Sequence, residues 1–212
     1  MSTAHLEIEV KFFVPELSVI RDRLLSLGAV SEGRVFERNI RFEDVDKTIV
    51  RRRSLLRLRL DTTCTLTFKS APAEENSEFK IFRELEVEVD DFDKMTEILS
   101  ELGFHREQVY EKWRETLSMG NTLFCLDTLP YGQFIEIEGA GDDIREYAKR
   151  LGLPWSCRIL KNYLRIFDLL NHRIGFSFSD VTFQNFETVP VNLSEHLDLL
   201  LAENPKNPEC GP

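Results

Sequence analysis

The stretch Leu6-Glu7-Ile8-Glu9-Val10-Lys11-Phe12-Phe13-Val14 alternates charged and apolar residues through its first seven positions. Side chains of an extended strand point alternately to two faces. Glu7, Glu9 and Lys11 therefore share one face, and Ile8, Val10 and Phe12 share the other. The pattern predicts a strand from Leu6 to Val14 with one apolar side and one charged side.

The same arithmetic sorts charge along the rest of the chain. Arg57 and Arg59 lie together opposite Leu56, Leu58 and Leu60. Thr65, Thr67 and Lys69 share a face backed by Leu66 and Phe68. Glu84, Glu86 and Glu88 oppose Leu85, Val87 and Val89. Lys112 falls with Arg114, and Glu136 falls with Glu138 opposite Ile135 and Ile137. Like charges side by side on a strand face repel unless something compensates them. A divalent cation would compensate the carboxylates, and phosphate oxygens would compensate the arginines and lysines. A polyphosphate carrying a metal ion supplies both. The pattern alone leaves two readings open: a charged interior, or solvated sheet faces laced with cross-strand ion pairs.

The strands alternate with helical segments. Pro15 is placed at the first position of a helix carrying Leu17, Ile20, Leu24 and Leu25, which Gly28 ends. Residues 34–43 read as a second strand, with Val50 to Arg53 continuing its pairing. Leu55 to Leu60 and Cys64 to Ser70 read as two strands joined by a tight turn, and Phe79 to Val89 as a long strand. Asp91 is placed as the N-cap of a second helix that stops at Gly103. Tyr110 to Met119, Leu123 to Leu126 and Gln133 to Glu138 follow as strands. Asp142 opens a third helix, and Ile159 to Leu170 forms a short last element. Three segments, 7–29, 84–104 and 136–153, share one plan: a Glu-x-Glu strand, a link, an amphipathic helix and Leu-Gly. Such self-similarity suggests repeated supersecondary units.

Beyond about Asn171 the pattern changes. Phe176, Phe178, Phe183 and Phe186 are placed to cover an apolar surface, Leu193 to Ala202 reads as a short helix, and the terminal residues read as disordered.

Composition narrows the classes. The chain has 212 residues, 42% hydrophobic and 30% charged, enough to build a core. Its net charge of −10 argues against general nucleic-acid binding, which needs a basic face. No run approaches membrane-spanning length, and the N-terminus lacks a signal-peptide pattern, so a cytoplasmic location is expected. Cys64, Cys125, Cys157 and Cys210 are scattered, as are the four histidines, so neither a zinc site nor a disulfide framework is expected. A metal would be held by oxygen, which points to Mg²⁺ or Mn²⁺.

Glu7-Ile8-Glu9-Val10-Lys11 resembles the N-terminal ExExK signature of the CYTH family, the triphosphate tunnel metalloenzymes. The resemblance continues in order through LLRLRL (55–60), LTFKS (66–70), RELEVEV (83–89), EKWRE (111–115), CLDTLPYGQFIEIEG (125–139) and LKNYLRIF (160–167). It implies an α+β fold: a closed antiparallel β-barrel of about eight strands, forming a tunnel flanked by helices. It implies a tunnel domain over residues 1–170 and a C-terminal extension over 171–212.

Carried over residue by residue, the resemblance assigns Glu7, Glu9, Glu136 and Glu138 to the metal. Glu84, Glu86 and Asp127 are added to them as tunnel acids. It assigns Arg57, Arg59, Lys69, Lys112, Arg114 and Lys161 to the triphosphate. Lys11 becomes the candidate for orienting or deprotonating the attacking water, its plainer role being a salt bridge with Glu7 or Glu9. Tyr163 matches a tyrosine common in related bacterial sequences and reads equally as a packing residue. The second strand departs from the family pattern: Arg38, Asn39, Arg41 and Phe42, followed by Glu43 and Asp44, stand where many relatives carry acids and a tyrosine.

The implied activity is metal-dependent hydrolysis of inorganic triphosphate, thiamine triphosphate or a nucleoside triphosphate to a diphosphate and phosphate. The rival within the family is a class IV adenylate cyclase, which makes cyclic AMP and pyrophosphate from ATP. A non-catalytic polyphosphate-binding module is the rival from another class. The implied partner is a small-molecule triphosphate, with neither nucleic acid nor membrane, and a homodimer is left open.

Overall fold

The computed structural model describes residues 5–72, 76–202 and 210. Eight antiparallel strands close into a ring: β1 (His5–Phe13), β2 (Val30–Asp44), β3 (Ser54–Leu60), β4 (Cys64–Ser70), β5 (Lys80–Val89), β6 (Phe104–Met119), β7 (Thr122–Leu129) and β8 (Gly132–Glu138). Their order round the ring is β1-β5-β4-β3-β2-β6-β7-β8, and β8 returns to β1. Closure removes the exposed edges that an open sheet would present. Six helices accompany the strands: α1 (Leu17–Leu27), α2 (Thr48–Arg51), α3 (Phe92–Glu101), α4 (Gly141–Arg150), α5 (Tyr163–Ile174) and α6 (Phe183–Phe186).

The apolar strand faces point outward, where the helices cover them. Val10, Phe12, Ile135 and Ile137 join Ile20 and Leu24 of α1 and Ile144 and Ala148 of α4 in the larger core. Ile40, Phe42, Leu56 and Leu58 form a second cluster with Leu99 of α3. The opposite, charged faces are thereby turned to the barrel interior. The three Glu-x-Glu units are realised as β1–α1, β5–α3 and β8–α4.

Local chemistry sets the helix ends. Gly28 closes α1 at φ 97°, a left-handed conformation that suits glycine. The Asp91 carboxylate accepts from the Lys94 amide and caps α3, as expected. Pro15 lies before the N-cap Glu16, so it precedes α1 instead of opening it. Val50 to Arg53 does not extend the sheet. Thr48–Arg51 is a helical turn, stabilised because the buried Glu43 carboxylate accepts from the Ile49 and Val50 amides. The element expected over Ile159 to Leu170 is the helix α5, which is capped by Asn162 and runs on to Ile174.

The C-terminal part completes the barrel wall. Strand β6 runs past the end of β7, so from Phe104 to about Lys112 it is paired with β2 on one edge and has no strand on the other. Val181 bridges this edge: its amide donates to the Val109 carbonyl (2.8 Å), and the Glu111 amide donates to the Val181 carbonyl (2.9 Å). Ile159 does the same for β1 at Lys11, with bonds of 2.7 and 3.2 Å. Buried backbone groups need such partners. Of the four phenylalanines expected to cover an apolar surface, Phe176, Phe178 and Phe186 cluster around Phe167 of α5, with centroids 5.5–6.3 Å from its ring, whereas Phe183 lies 6.3 Å from the ring of Phe36 on β2. Residues Leu193–Leu199 form a 3-10 helix that buries Leu193 and Leu197.

The expected disorder of the terminal residues falls outside the described residues, apart from Cys210. That residue corrects a cysteine expectation, because Cys157 and Cys210 form a disulfide across 53 residues of sequence. Spacing could not show it, since a single long-range bridge leaves no local motif. Cys64 and Cys125 are free and buried.

Candidate active site

The ring order gathers charges that are far apart in sequence. The acidic strands β5, β1 and β8 are neighbours, so Glu84 and Glu86, Glu7 and Glu9, and Glu136 and Glu138 form one continuous wall. Strand β2 is the fourth from β1 in either direction and stands opposite it, flanked by β3 with Arg57 and Arg59 and by β6 with Lys112 and Arg114.

On the acidic wall, lysines separate the carboxylates. Lys69 Nζ lies 2.5 Å from Glu7 and 3.2 Å from Glu84. Lys80 bonds Glu9. Lys11 bonds Glu136 and lies 3.7 Å from Glu9, with only 1% of its side chain exposed. Burial would raise the Glu9 carboxyl, but Lys80 and Lys11 outweigh it and hold it at about 2. Glu138 goes the other way: burial, then the charges of Glu7 and Glu9, push it up to about 7. Burial and Glu9 also raise Glu7. Carboxylate repulsion thus survives the lysines that are present.

Beside that wall, on β7, Asp127 is fully buried and collects basic groups. It accepts from Arg114 Nε (2.7 Å) and Nη2 (2.5 Å), Lys112 Nζ (3.1 Å) and the Tyr163 hydroxyl (2.7 Å). Arg114 also bonds Glu136 and so links this group to the acidic wall. The Tyr163 ring, at the start of α5, lies 4.4 Å from Lys11 Nζ and 5.2 Å from the Phe134 ring. Burial, followed by Asp127 and Glu136, raises its phenol well above the ordinary range. Arg57 donates to Thr67 (3.1 Å) and to the Tyr110 hydroxyl (3.5 Å), and lies 3.9 Å from Glu84. Arg59 lies 3.0 Å from Asp61 and 3.6 Å from Glu86.

The structure therefore brings together Glu7, Glu9, Lys11, Arg57, Arg59, Lys69, Glu84, Glu86, Lys112, Arg114, Asp127, Glu136 and Glu138. Lys161 stands apart. Its ammonium group donates to the Leu200 (2.9 Å) and Leu201 (3.3 Å) carbonyls and ties down the C-terminal segment. Three interior residues were not singled out from sequence. Glu37 is 2% exposed and lies 3.4 Å from Lys112 and 3.7 Å from Arg114. Lys80 and Tyr110 are the others. Parity was the available signal: Glu37, Asn39 and Arg41 alternate as Arg57 and Arg59 do, and Lys80 is in step with Glu84.

The donor set suits a hard divalent cation. Glu7, Glu9, Glu136 and Glu138 offer only carboxylate oxygen, and the repulsion felt by Glu7 and Glu138 is what such a cation relieves. Among the described residues, no three acidic, histidine or cysteine groups are gathered as the side chains stand, because the lysines lie between them.

The CYTH domain family model matches residues 5–151. The chain belongs to the CYTH family. This CYTH chain is 28% identical over 148 residues to the protein named "Putative adenylate cyclase MJ0240" of Methanocaldococcus jannaschii, covering 69% of this chain and 83% of the relative. Among solved structures it is similar to the PH1012 protein of Pyrococcus horikoshii, with a TM-score of 0.64 and 29% identity over 74% of this chain and 96% of that one. It also shares the fold of a Hippeastrum protein, described as an adenylyl cyclase candidate with a dominant triphosphatase activity. The TM-score there is 0.54, with 19% identity over 70% and 89% of the two chains. Among the described residues, no helix of this CYTH chain is long and apolar enough to cross a membrane.

Proposed function

We propose that this chain hydrolyses a triphosphate to a diphosphate and phosphate with the help of Mg²⁺ or Mn²⁺. The observation that carries this reading is the sorting of charge across one interior, with a carboxylate wall on β5, β1 and β8 facing bases on β3 and β6. An anion binder alone has no use for inward glutamates. A metal-bound triphosphate matches both walls.

In this reading Glu7, Glu9, Glu136 and Glu138 hold the cation, which draws charge from the phosphoryl oxygens when bound. Arg57, Arg59, Lys69, Lys112 and Arg114 grip the phosphates and stabilise the charge that develops as water attacks phosphorus and the anhydride P–O bond breaks. Asp127 and Tyr163 keep Arg114 and Lys112 in place. Lys11 is pinned between Glu136 and Glu9, which suits it to orienting water and phosphate more than to taking up a proton. Lys161 serves the C-terminal segment.

The cyclase reading is kept because of the name borne by the Methanocaldococcus relative. Hydrolysis is preferred because it needs only phosphate contacts, which the buried acids, bases, threonines and amides can supply, whereas a cyclase needs an adenine pocket as well.

The test incubates the protein with inorganic triphosphate, thiamine triphosphate and ATP, each with Mg²⁺ or Mn²⁺, and resolves all products. Phosphate plus a diphosphate is expected, abolished by EDTA and by Glu9→Gln. Cyclic AMP with pyrophosphate would replace this proposal by the cyclase. Binding without any product would replace it by a binding module.

A further inference from the structure

Asn39 stands on the interior face of β2. Its neighbours Ile40 and Phe42 are packed in the core beneath α3, so Asn39 points the other way. It is fully buried, and both its Nδ2 and its Oδ1 lack a hydrogen-bond partner. Its cross-strand partners are Arg59 on β3 and Tyr110 on β6, both on the same face. On that face Arg57 likewise has an unpartnered Nε, although its terminal nitrogens are engaged by Thr67 and Tyr110. One residue pair further along, Glu37 lies 3.4 Å from Lys112 and 3.7 Å from Arg114, although its Oε2 has no hydrogen-bond partner. The wall opposite the carboxylates of β1 thus carries three donors without a hydrogen-bond partner, the Asn39 amide and the Nε of Arg57 and of Arg59, beside a hydroxyl, and Arg59 Nε has only the Asp61 carboxylate 3.0 Å away.

A buried amide with neither end satisfied is costly, and natural interiors seldom keep one without a use. Removing it would cost this wall no hydrogen bond. Unused donors next to arginine call for an acceptor-rich anion, and a phosphoryl group is acceptor-only when ionised. We propose that Asn39 contacts the substrate: its Nδ2 donates to a phosphoryl oxygen held between Arg57 and Arg59, while its Oδ1 accepts from water carried in with the phosphate. The neutrality of the side chain matters as much as its donor. An aspartate here would be nearly the same size, would pair with the two arginines and would repel the incoming charge.

This inference rests on the triphosphate reading above, but its test does not require turnover. Binding of inorganic triphosphate is measured by calorimetry in EDTA for the wild type, Asn39→Ala and Asn39→Asp. The melting temperature of each ligand-free protein is measured alongside. Loss of one bond to a charged group predicts about tenfold weaker binding for Asn39→Ala, and added repulsion predicts about a hundredfold for Asn39→Asp. The ligand-free alanine variant should melt no lower than the wild type, because the amide has no partner to lose. Binding within about twofold of wild type in both variants would overturn the proposal, as would a lower melting temperature with unchanged affinity, the mark of a packing role. A wild type that binds triphosphate without hydrolysing it sinks the proposed function and leaves the affinity order to judge Asn39. A wild type that binds triphosphate neither in EDTA nor with Mg²⁺ or Mn²⁺ sinks both.

Discussion

Replacing Tyr163 by phenylalanine removes one hydroxyl from a fully buried carboxylate while keeping the ring against Phe134 and Lys11. Asp127 loses its 2.7 Å bond to Tyr163 but keeps Arg114 and Lys112. A hydrogen bond to a charged group contributes about 1.5–3 kcal/mol, and the remaining donors place this one at the lower end, about 1.5 kcal/mol. With a urea slope of about 2.5 kcal/mol/M, the midpoint should fall by about 0.6 M with the slope unchanged. Asp127→Asn should cost more, about 3 kcal/mol, because it removes the charge that answers two buried cations. The figure stays at the low end of that range because Glu37 and Glu136 remain beside them. The decisive measurement is the double variant. Against the neutral acceptor that Asp127→Asn leaves, the tyrosine hydroxyl should contribute only about 0.5 kcal/mol, leaving a coupling of about 1 kcal/mol. A single-variant loss below about 0.5 kcal/mol, or additive losses in the double variant, would refute the role given to Tyr163 as a positioning group.

Other outcomes follow from the same geometry. Burial opposes ionisation of Glu37, but Lys112 and Arg114 outweigh it and hold the carboxyl at about 2, below its ordinary value of 4.5. A depressed carboxyl contributes stability that is present above 4.5 and lost as pH falls towards 2, at most roughly 3 kcal/mol here. Glu37→Gln should therefore flatten the acid limb of a stability–pH curve, and an unchanged limb would contradict the pairing. Lys161→Ala should lower stability by about 1 kcal/mol while kcat/KM for triphosphate stays within about twofold. A tenfold loss of kcat/KM would show that this lysine reaches the phosphates after all. Reducing the Cys157–Cys210 bridge should cost about 2–4 kcal/mol, a drop in Tm of about 5–10 °C, and the reductant should have no such effect on Cys210→Ser.

Much of the site was legible because a strand has a period of two. Once Glu7 and Glu9 are known to be extended, they must share a face, whatever the fold does elsewhere. The paired arginines of β3 and the paired acids of β8 obey the same rule. Lys80 escaped notice because it is a single base on the otherwise acidic face of its strand, and only the pairing of β1 with β5 sets it against Glu9. Glu37 escaped because β2 carries acid, amide and base in turn, so no charge run marks it. Lys161 was assigned to the substrate from its place in a matching motif. Its actual partners are carbonyls about 40 residues downstream, which no local pattern specifies.

By itself, the sequence determined which residues are strand and which helix over most of the chain, which face of each strand is charged, and the family to which the chain belongs. These follow from backbone periodicity and local capping, which act over a few residues. Tertiary structure alone decided that β5, β1 and β8 are neighbours and so build one carboxylate wall. It alone set Asn39 opposite that wall without a partner and laid Val181 and Ile159 along unpaired strand edges. It also brought Cys210 to Cys157. Each of these joins residues far apart in the chain, through ring closure and the burial of backbone groups that must find partners, and such contacts leave no trace in local spacing.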